Sequence, residues 1–448
     1  MRKHIIEEEY PISFRSTEAE KLGNLLKNRR SVVLVGMKRV GISNFLRFFL
    51  YHEKICPTYL NSEKHIFIRS EAEKKIFENK PNHIFIPVDL NDLVERDIFP
   101  FWILTLKRIS DYIEENIPND TIKKRVSQLF LDGIQSQDLF LTIDGIRKSL
   151  VLLSESGYSP TIFFIRFDRI VEYATPIFFG NFQGLIDATN NKLSFVFTSV
   201  RPLDTLSSEV FTKHALSVFA DTLYVKPAKS QDVNTILQFA EKQYQLSLDD
   251  NLKKKLLSLV DGYNQYLQFA LISLHEEQKK LSEKNLLEIL LSDERINLQS
   301  EELYESLTGE EKIVVEKVIN GEQISQEDKK NAAYLFDTGL ITEDGKFFSV
   351  LFEKFLEEKK HVKKKNSQNI ELSKKEHALL EILEKYTNDV CEREEIIEHV
   401  WQEAEAIGVS DWAIDRLVAR LRNKLKSQNS GIEIITVKTR GYKLIKNQ

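Results

Sequence analysis

The sequence predicts an α/β chain, with a mostly parallel, helix-covered sheet in its first half and a small α+β unit at its end. Two observations predict it. Short apolar runs alternate with helical patterns through the first half, as in a parallel sheet buried on both faces. The end of the chain instead sets helical patterns ahead of two β-rich runs within Gly431–Leu444 (GIEIITVKTRGYKL). At 448 residues the chain has room for more than one core, because single cores rarely grow past about 250 residues.

The elements follow in order. Ser31–Gly36 (SVVLVG) is an apolar run ending in glycine, and an amphipathic stretch from Ser43 to His52 follows. His83–Leu90 (HIFIPVDL), Thr161–Phe167 (TIFFIRF), Leu193–Ser199 (LSFVFTS) and Ala220–Val225 supply further strands, and Phe99–Asn116 reads as a helix. Trp102, Phe163, Phe164, Phe178, Phe179 and Phe182 read as core aromatics. From Ser230 to Asn297 the periodicity is purely helical. Glu301–Glu358 sets helices before a strand–turn–strand, Gly339–Phe348, with Asp344-Gly345 at the turn, the outline of a small winged helix. Its second-helix surface (Glu327, Asp328, Lys329, Lys330, Asp337) is balanced in charge, which suits packing or a partner better than DNA. Glu357–Asn366 (EEKKHVKKKN) carries five lysines without an apolar period and reads as a solvated linker, or as the frayed end of a helix that runs into one. The expected boundaries are 1–229, 230–297, 298–358, a linker at 359–366, and 367–448.

A net charge of −5 argues against a wholly basic nucleic-acid binder. Cys56 and Cys391 form no CxxC or Cys/His cluster, so neither a disulfide framework nor structural zinc is expected. The N-terminus turns acidic where a signal peptide is apolar, and no run of 18 apolar residues occurs, so a cytoplasmic protein without a membrane partner is expected.

In the C-terminal unit, Ser373 caps a helix with Glu376 three residues on. Ile370–Leu372 reads as a short strand before it, and a second helix runs from Arg393 to about Trp401. A third helix begins after Ser410, with Ile414, Val418, Leu421 and Leu425 on its core face and Ala413, Arg416, Leu417, Arg420 and Lys424 opposite. Charge is divided sharply. Ser367–Asp411 holds 12 acidic and 4 basic residues, whereas Trp412–Gln448 holds 2 acidic and 9 basic ones. A basic helix and hairpin form the electrostatic footprint of a phosphate-binding face.

These motifs resemble the OmpR/PhoB-type winged-helix effector domain. They are Leu372-Ser373-x-x-Glu376, Val400-Trp401, Asp411-x-x-Ile414-Asp415 leading into Arg420-Leu421-Arg422-x-Lys424-Leu425, and Thr436-Val437-Lys438 before Gly441-Tyr442. The resemblance implies that the third helix enters the major groove of double-stranded DNA and the hairpin wing reaches the minor groove. Trp412, Ala413, Arg416, Leu417, Arg420 and Lys424 would then face DNA, with Lys438 and Arg440 in the wing. It also implies paired subunits on spaced half-sites, hence a homo-oligomer. Thr439 stands where that family usually has glycine, and Leu417 where it is usually polar.

Gly36-Met-Lys-Arg-Val-Gly41-Ile42-Ser43 fits a phosphate loop, G-x-x-x-x-G-K-[ST], except that Ile42 replaces the lysine. Backbone N–H groups and the following helix terminus remain to cradle phosphate. Gly36, Lys38, Arg39, Gly41 and Ser43 are the candidate ATP/ADP ligands, with Ser43 also the candidate Mg²⁺ ligand and Lys38 or Arg39 the candidate replacements for the lysine. Together with Tyr10-Pro11, Phe14-Arg15, HIFIPVDL, Thr198-Ser199 and Gly262-Tyr263-x-x-Tyr266-Leu267, the loop resembles STAND-type, AAA-like P-loop ATPases. That implies a P-loop NTPase-like sheet with a helical lid and winged helix, Ser199 as a sensor and Asp168 at the nucleotide. The acidic pair of strand three is missing in either register: Asp168-Arg169, or Ile165-Arg166 ahead of Phe167-Asp168. The expectation is therefore a DNA-binding transcription regulator controlled or assembled by a degenerate nucleotide-binding module, with hydrolysis weak or absent. The alternative is an active ATP-dependent STAND-type switch or defence sensor that oligomerises on ATP.

Overall fold

The computed structural model describes residues 5–60, 82–244, 246–276, 285–365, 372–401, 411–427, 431–437 and 440–446. Two compact units divide the chain. The first comprises Met1–Leu271, Ser282–Leu287 and Leu303–Phe352; the second comprises Ile272–Leu281, Glu288–Glu302 and Glu353–Gln448.

The first unit is built on a parallel sheet of β1 (Ser31–Val35), β2 (Asn82–Asp89), β3 (Tyr158–Ile165), β4 (Ser194–Ser199) and β5 (Ala220–Tyr224), in the order β2-β3-β4-β1-β5. β1 and β4 are buried along their whole length, which is why they read as unbroken apolar runs and not as alternating ones. The connecting helices are α1 (Ser16–Lys27), α2 (Ile42–Tyr51), α3 (Ile98–Asn116), α4 (Asp120–Ser136), α5 (Leu139–Glu155), α6 (Pro176–Ala188), α7 (Leu203–Leu206) and α8 (Lys213–Phe219). Side-chain acceptors start many of them. Asn119 caps α4, Asp138 caps α5, and Thr175 caps α6 with Pro176 at its first position. The aromatic residues do form core: Phe101, Trp102, Phe164, Phe178 and Phe182 are buried against one another beside the sheet, while Phe179 is half-buried.

Helices continue with α9 (Ser230–Tyr244), α10 (Asp250–Val260), α11 (Asn264–Glu276), α12 (Leu286–Ser292), α13 (Glu294–Glu305), α14 (Gly309–Ile319), α15 (Gln326–Asn331), α16 (Ala333–Asp337) and α17 (Val350–Lys365). Thr308 with Glu311 and Ser325 with Asp328 form capping boxes on α14 and α15. The strand–turn–strand expected at Gly339–Phe348 narrows to a single Ile341–Phe347 bridge around Asp344-Gly345. The lysine-rich stretch is helical through Lys365, in line with the helix-end alternative.

In the second unit, α18 (Lys374–Lys385), α19 (Arg393–Val400) and α20 (Asp411–Ser427) pack on an antiparallel sheet ordered β6-β8-β7. Its strands are β6 (Val390–Glu392), β7 (Ile432–Val437) and β8 (Gly441–Lys446). The Ser373–Glu376 capping box is present, and Ile414, Val418, Leu421 and Leu425 are buried as expected. Ile370, in the expected short strand, lies outside the described residues. β6 is too short to show a period of its own; it exists because β8 pairs with it, Cys391 opposite Tyr442. Among the described residues no helix is long and apolar enough to cross a membrane.

Candidate functional site

The loop between β1 and α2 has the course of a phosphate loop. Gly36 is buried so closely against β5 that a Cβ would lie 2.8 Å from the Val225 carbonyl oxygen. Gly41 takes φ +111° at the N-terminus of α2, a conformation that favours glycine. The loop is pinned from outside. Tyr263 Oη donates to the Lys38 carbonyl at 2.5 Å, and the buried Arg15 guanidinium donates to the Val40 carbonyl at 3.4 Å. Both contacts use loop carbonyls. Lys38 is half-buried and Arg39 is exposed.

β3 ends at Ile165, level with Asp89 at the end of β2. Ile165 ends the strand and Arg166 follows it, while Asp168, expected at the nucleotide, lies in the short 3-10 turn Phe167–Arg169. Burial raises the Asp168 pKa against the opposing charges of Arg169, Lys38 and Arg166. Ser199 ends β4 beside Val35, but its hydroxyl accepts the Arg201 N–H at 3.3 Å.

A cavity of about 370 Å³ opens beside α2, lined in part by Ser43, Arg47, Asp89, Asp92, Arg108 and Arg166. Its arginines are already answered by carboxylates. Arg166 forks onto Asp89, Arg108 lies 2.7 Å from Asp92, and Arg47 lies 2.8 Å from Glu7. A divalent cation held by the exposed Ser43 would share this cavity with a guanidinium where its carboxylate ligand should stand. The residues present do not fit Mg²⁺, and Ser43 as a metal ligand is not supported by this charge arrangement.

A second arginine at the sheet edge, Arg201, was not singled out by the sequence. It is buried, bonds Glu311 through both oxygens at 2.6 and 2.8 Å, and stacks 3.7 Å over the Tyr334 ring. The partners are 110 residues apart, a separation at which no sequence spacing signals a pair.

In the second unit α20 carries the candidate DNA residues. Arg416, Arg420 and Lys424 are half-buried, each within reach of a carboxylate. Leu417 and Ala413, expected on the exposed face, are buried; Leu417 belongs to the unit's core. The correction is one of width: α20 buries Leu417 as well as the row Ile414, Val418, Leu421 and Leu425, so its apolar stripe is broader than a single row. Nothing of the Trp412 side chain is described, and Lys438 lies outside the described residues. Arg440 is exposed at the hairpin and lies 3.4 Å from Glu392.

Other polar residues fasten α20 in place. Asp415 accepts from Arg393 at 2.6 Å and from Tyr442 Oη. Arg422 donates to the Ile434 carbonyl at 2.7 Å and to Thr436 Oγ1 at 2.8 Å, tying the helix to β7. Glu376, besides capping α18, accepts from Lys424 at 2.6 Å. Burial raises the Glu376 pKa, but the bonds from Lys424 and the Ser373 N–H, with the Lys424 and Arg420 charges, outweigh it and hold the carboxyl below its usual value.

Residues 367–444 match the family described as "Transcriptional regulatory protein, C terminal". The response regulator ArlR of Staphylococcus epidermidis is 38% identical over 77 residues, 17% of this chain and 34% of that protein. ArlR of Staphylococcus aureus matches with the same identity and coverage. The chain thus spans about a third of the length of these curated relatives. Among solved structures, a Walker-type ATPase of Pyrococcus abyssi aligns with a TM-score of 0.45 at 16% identity, over 79% of this chain and 100% of that one. The ORC2 protein of Aeropyrum pernix, solved as ADPNP–ADP complexes, aligns with a TM-score of 0.46 at 14% identity, over 96% and 98%. The C-terminal segment is an OmpR/PhoB-type winged helix, and the strand order with a loop of this course after β1 is P-loop NTPase-like.

Proposed function

We propose that the chain is a DNA-binding transcription regulator whose C-terminal winged helix contacts duplex DNA through α20 and the β7–β8 hairpin. The observation that carries this reading is the family match over residues 367–444, which covers the segment where basic charge is concentrated. Arg416 and Arg420 are the residues assigned to base or phosphate contact, with Lys438 and Arg440 in the wing. The P-loop-type module is the control or assembly element and does not hydrolyse ATP.

Binding of the full-length chain to a labelled random-sequence duplex tests the reading. Affinity is expected to fall steeply with salt. Replacing Arg416 or Arg420 with Ala is expected to cost about 1–3 kcal/mol each where the side chain reaches a base. Binding unchanged by both substitutions at low salt would sink the assignment.

A second reading, an ATP-driven switch, draws support from the loop itself, which keeps both glycines and opens onto the N-terminus of α2. Backbone amides can bind phosphate without the missing lysine, so ADP or ATP binding is compatible with both readings and turnover separates them.

A further inference from the structure

The basic row of α20 is already engaged within its own unit. Arg416 Nη2 donates to Glu301 Oε1 at 3.0 Å. Arg420 lies 3.6 Å from the carboxylates of both Glu294 and Glu301, and 3.9 Å from Glu376 of α18. Lys375, near the start of α18, reaches Glu294 at 2.9 Å. Glu294 and Glu301 are seven residues apart on α13, close to two helical turns, so they stand along one edge of that helix. Their carboxylates are only 31% and 14% exposed. Between and beside them Ile296, Leu298, Gln299, Ser300 and Glu302 are buried, so the acidic edge belongs to a packed helix.

We infer that α13 is a built-in competitor for DNA, its two carboxylates taking the place of phosphate on Arg416 and Arg420. The inference rests on the assignment of α20 as the DNA-contacting helix. A guanidinium N–H directed at Glu301 cannot also donate to a base or phosphate, and these carboxylates offset the positive charge that would attract phosphate, so duplex binding through Arg416 and Arg420 competes with these pairs. The observed affinity is then the intrinsic one multiplied by the fraction of chains in which α13 has released α20. Lys424 bonds Glu376, which lies within the winged helix and also caps α18. Release of α13 would leave that bond intact.

The test compares full-length wild type with E294Q/E301Q for binding to a labelled random-sequence duplex at low salt. The double variant is expected to bind about 10-fold tighter, and adding Arg416→Ala together with Arg420→Ala should abolish that gain. E310Q/E322Q, which removes the same charge from exposed positions in the first unit, should change affinity less than about twofold. In wild type, adding duplex should also speed hydrogen exchange at the amides of residues 294–302. That measurement, with the single variants E294Q and E301Q, carries the test if the double variant is unstable. If wild type binds through Arg416 and Arg420 but E294Q/E301Q gains no more than the control pair, the competitor is overturned and the DNA assignment stands. If neither wild type nor variant binds duplex, the DNA assignment fails and takes the competitor with it.

Discussion

Glu376 shows how one carboxylate can serve two structures. It closes the capping box of α18 and accepts from Lys424 of α20. Its pKa is lower in the folded chain than the ordinary value near 4.3. A depressed carboxyl contributes stability that is full above its unfolded pKa and is lost as pH falls through the folded value. Melting temperature of the C-terminal unit should therefore drop on acidification below about pH 4.5, and Glu376→Gln should remove part of that slope while lowering stability at neutral pH. A wild-type slope unchanged in the variant would show that other carboxylates dominate. Arg201 makes the complementary case in the first unit. Arg201→Ala strands the buried Glu311 carboxylate and is expected to destabilise by about 3–5 kcal/mol, read in denaturant unfolding. A loss under about 1 kcal/mol would mean water replaces the guanidinium.

At the scale of elements, α20 separates what periodicity can tell from what it cannot. Spacing alone identified Ile414, Val418, Leu421 and Leu425 as core, and all are buried. It misplaced Leu417 and Ala413, because a 3.6-residue period locates the centre of an apolar stripe and not its width. Leu417→Ala should accordingly behave as a core truncation, costing about 2–5 kcal/mol of stability. A stable variant with altered base preference would return Leu417 to the solvent face. The inner strands of the large sheet were legible for a related reason. Strands buried on both faces are apolar almost throughout, and Thr161–Phe167 and Leu193–Ser199 stand out from their surroundings. β6 was not legible, since its three residues exist as a strand only through β8. The Asp415–Arg393–Tyr442 cluster and the Arg422 bonds to β7 were equally silent, because their partners meet only once the helix and hairpin have packed.

For the whole molecule, the decisive quantity is turnover. Phosphoryl transfer needs a metal, a cation on the transferring phosphate and a group that orients water. Ile42 stands where the phosphate-loop motif has its lysine, and Arg166 follows the tip of β3. Purified chain should show no Mg·ATP hydrolysis above a Gly41→Asp control, whose side chain is strained at that φ. Turnover that is lost in the control would favour the ATP-driven switch. Ile42→Lys alone should tighten ADP or ATP binding, by about 1–3 kcal/mol for a charge-assisted contact, without restoring hydrolysis.

The Arg166–Asp89 fork at the tips of β3 and β2 also ties those two positions to each other. Arg166→Glu, taken first, would set a carboxylate against Asp89 with no ion to separate them, a like-charge contact that destabilises the sheet edge. Asp89→Asn, taken first, would leave the guanidinium without its countercharge. Each single change thus leaves a charge without its partner, and only a change at both positions avoids it. The two strand tips behave as one unit of charge, so the stability effects of substitutions at 89 and 166 should not add.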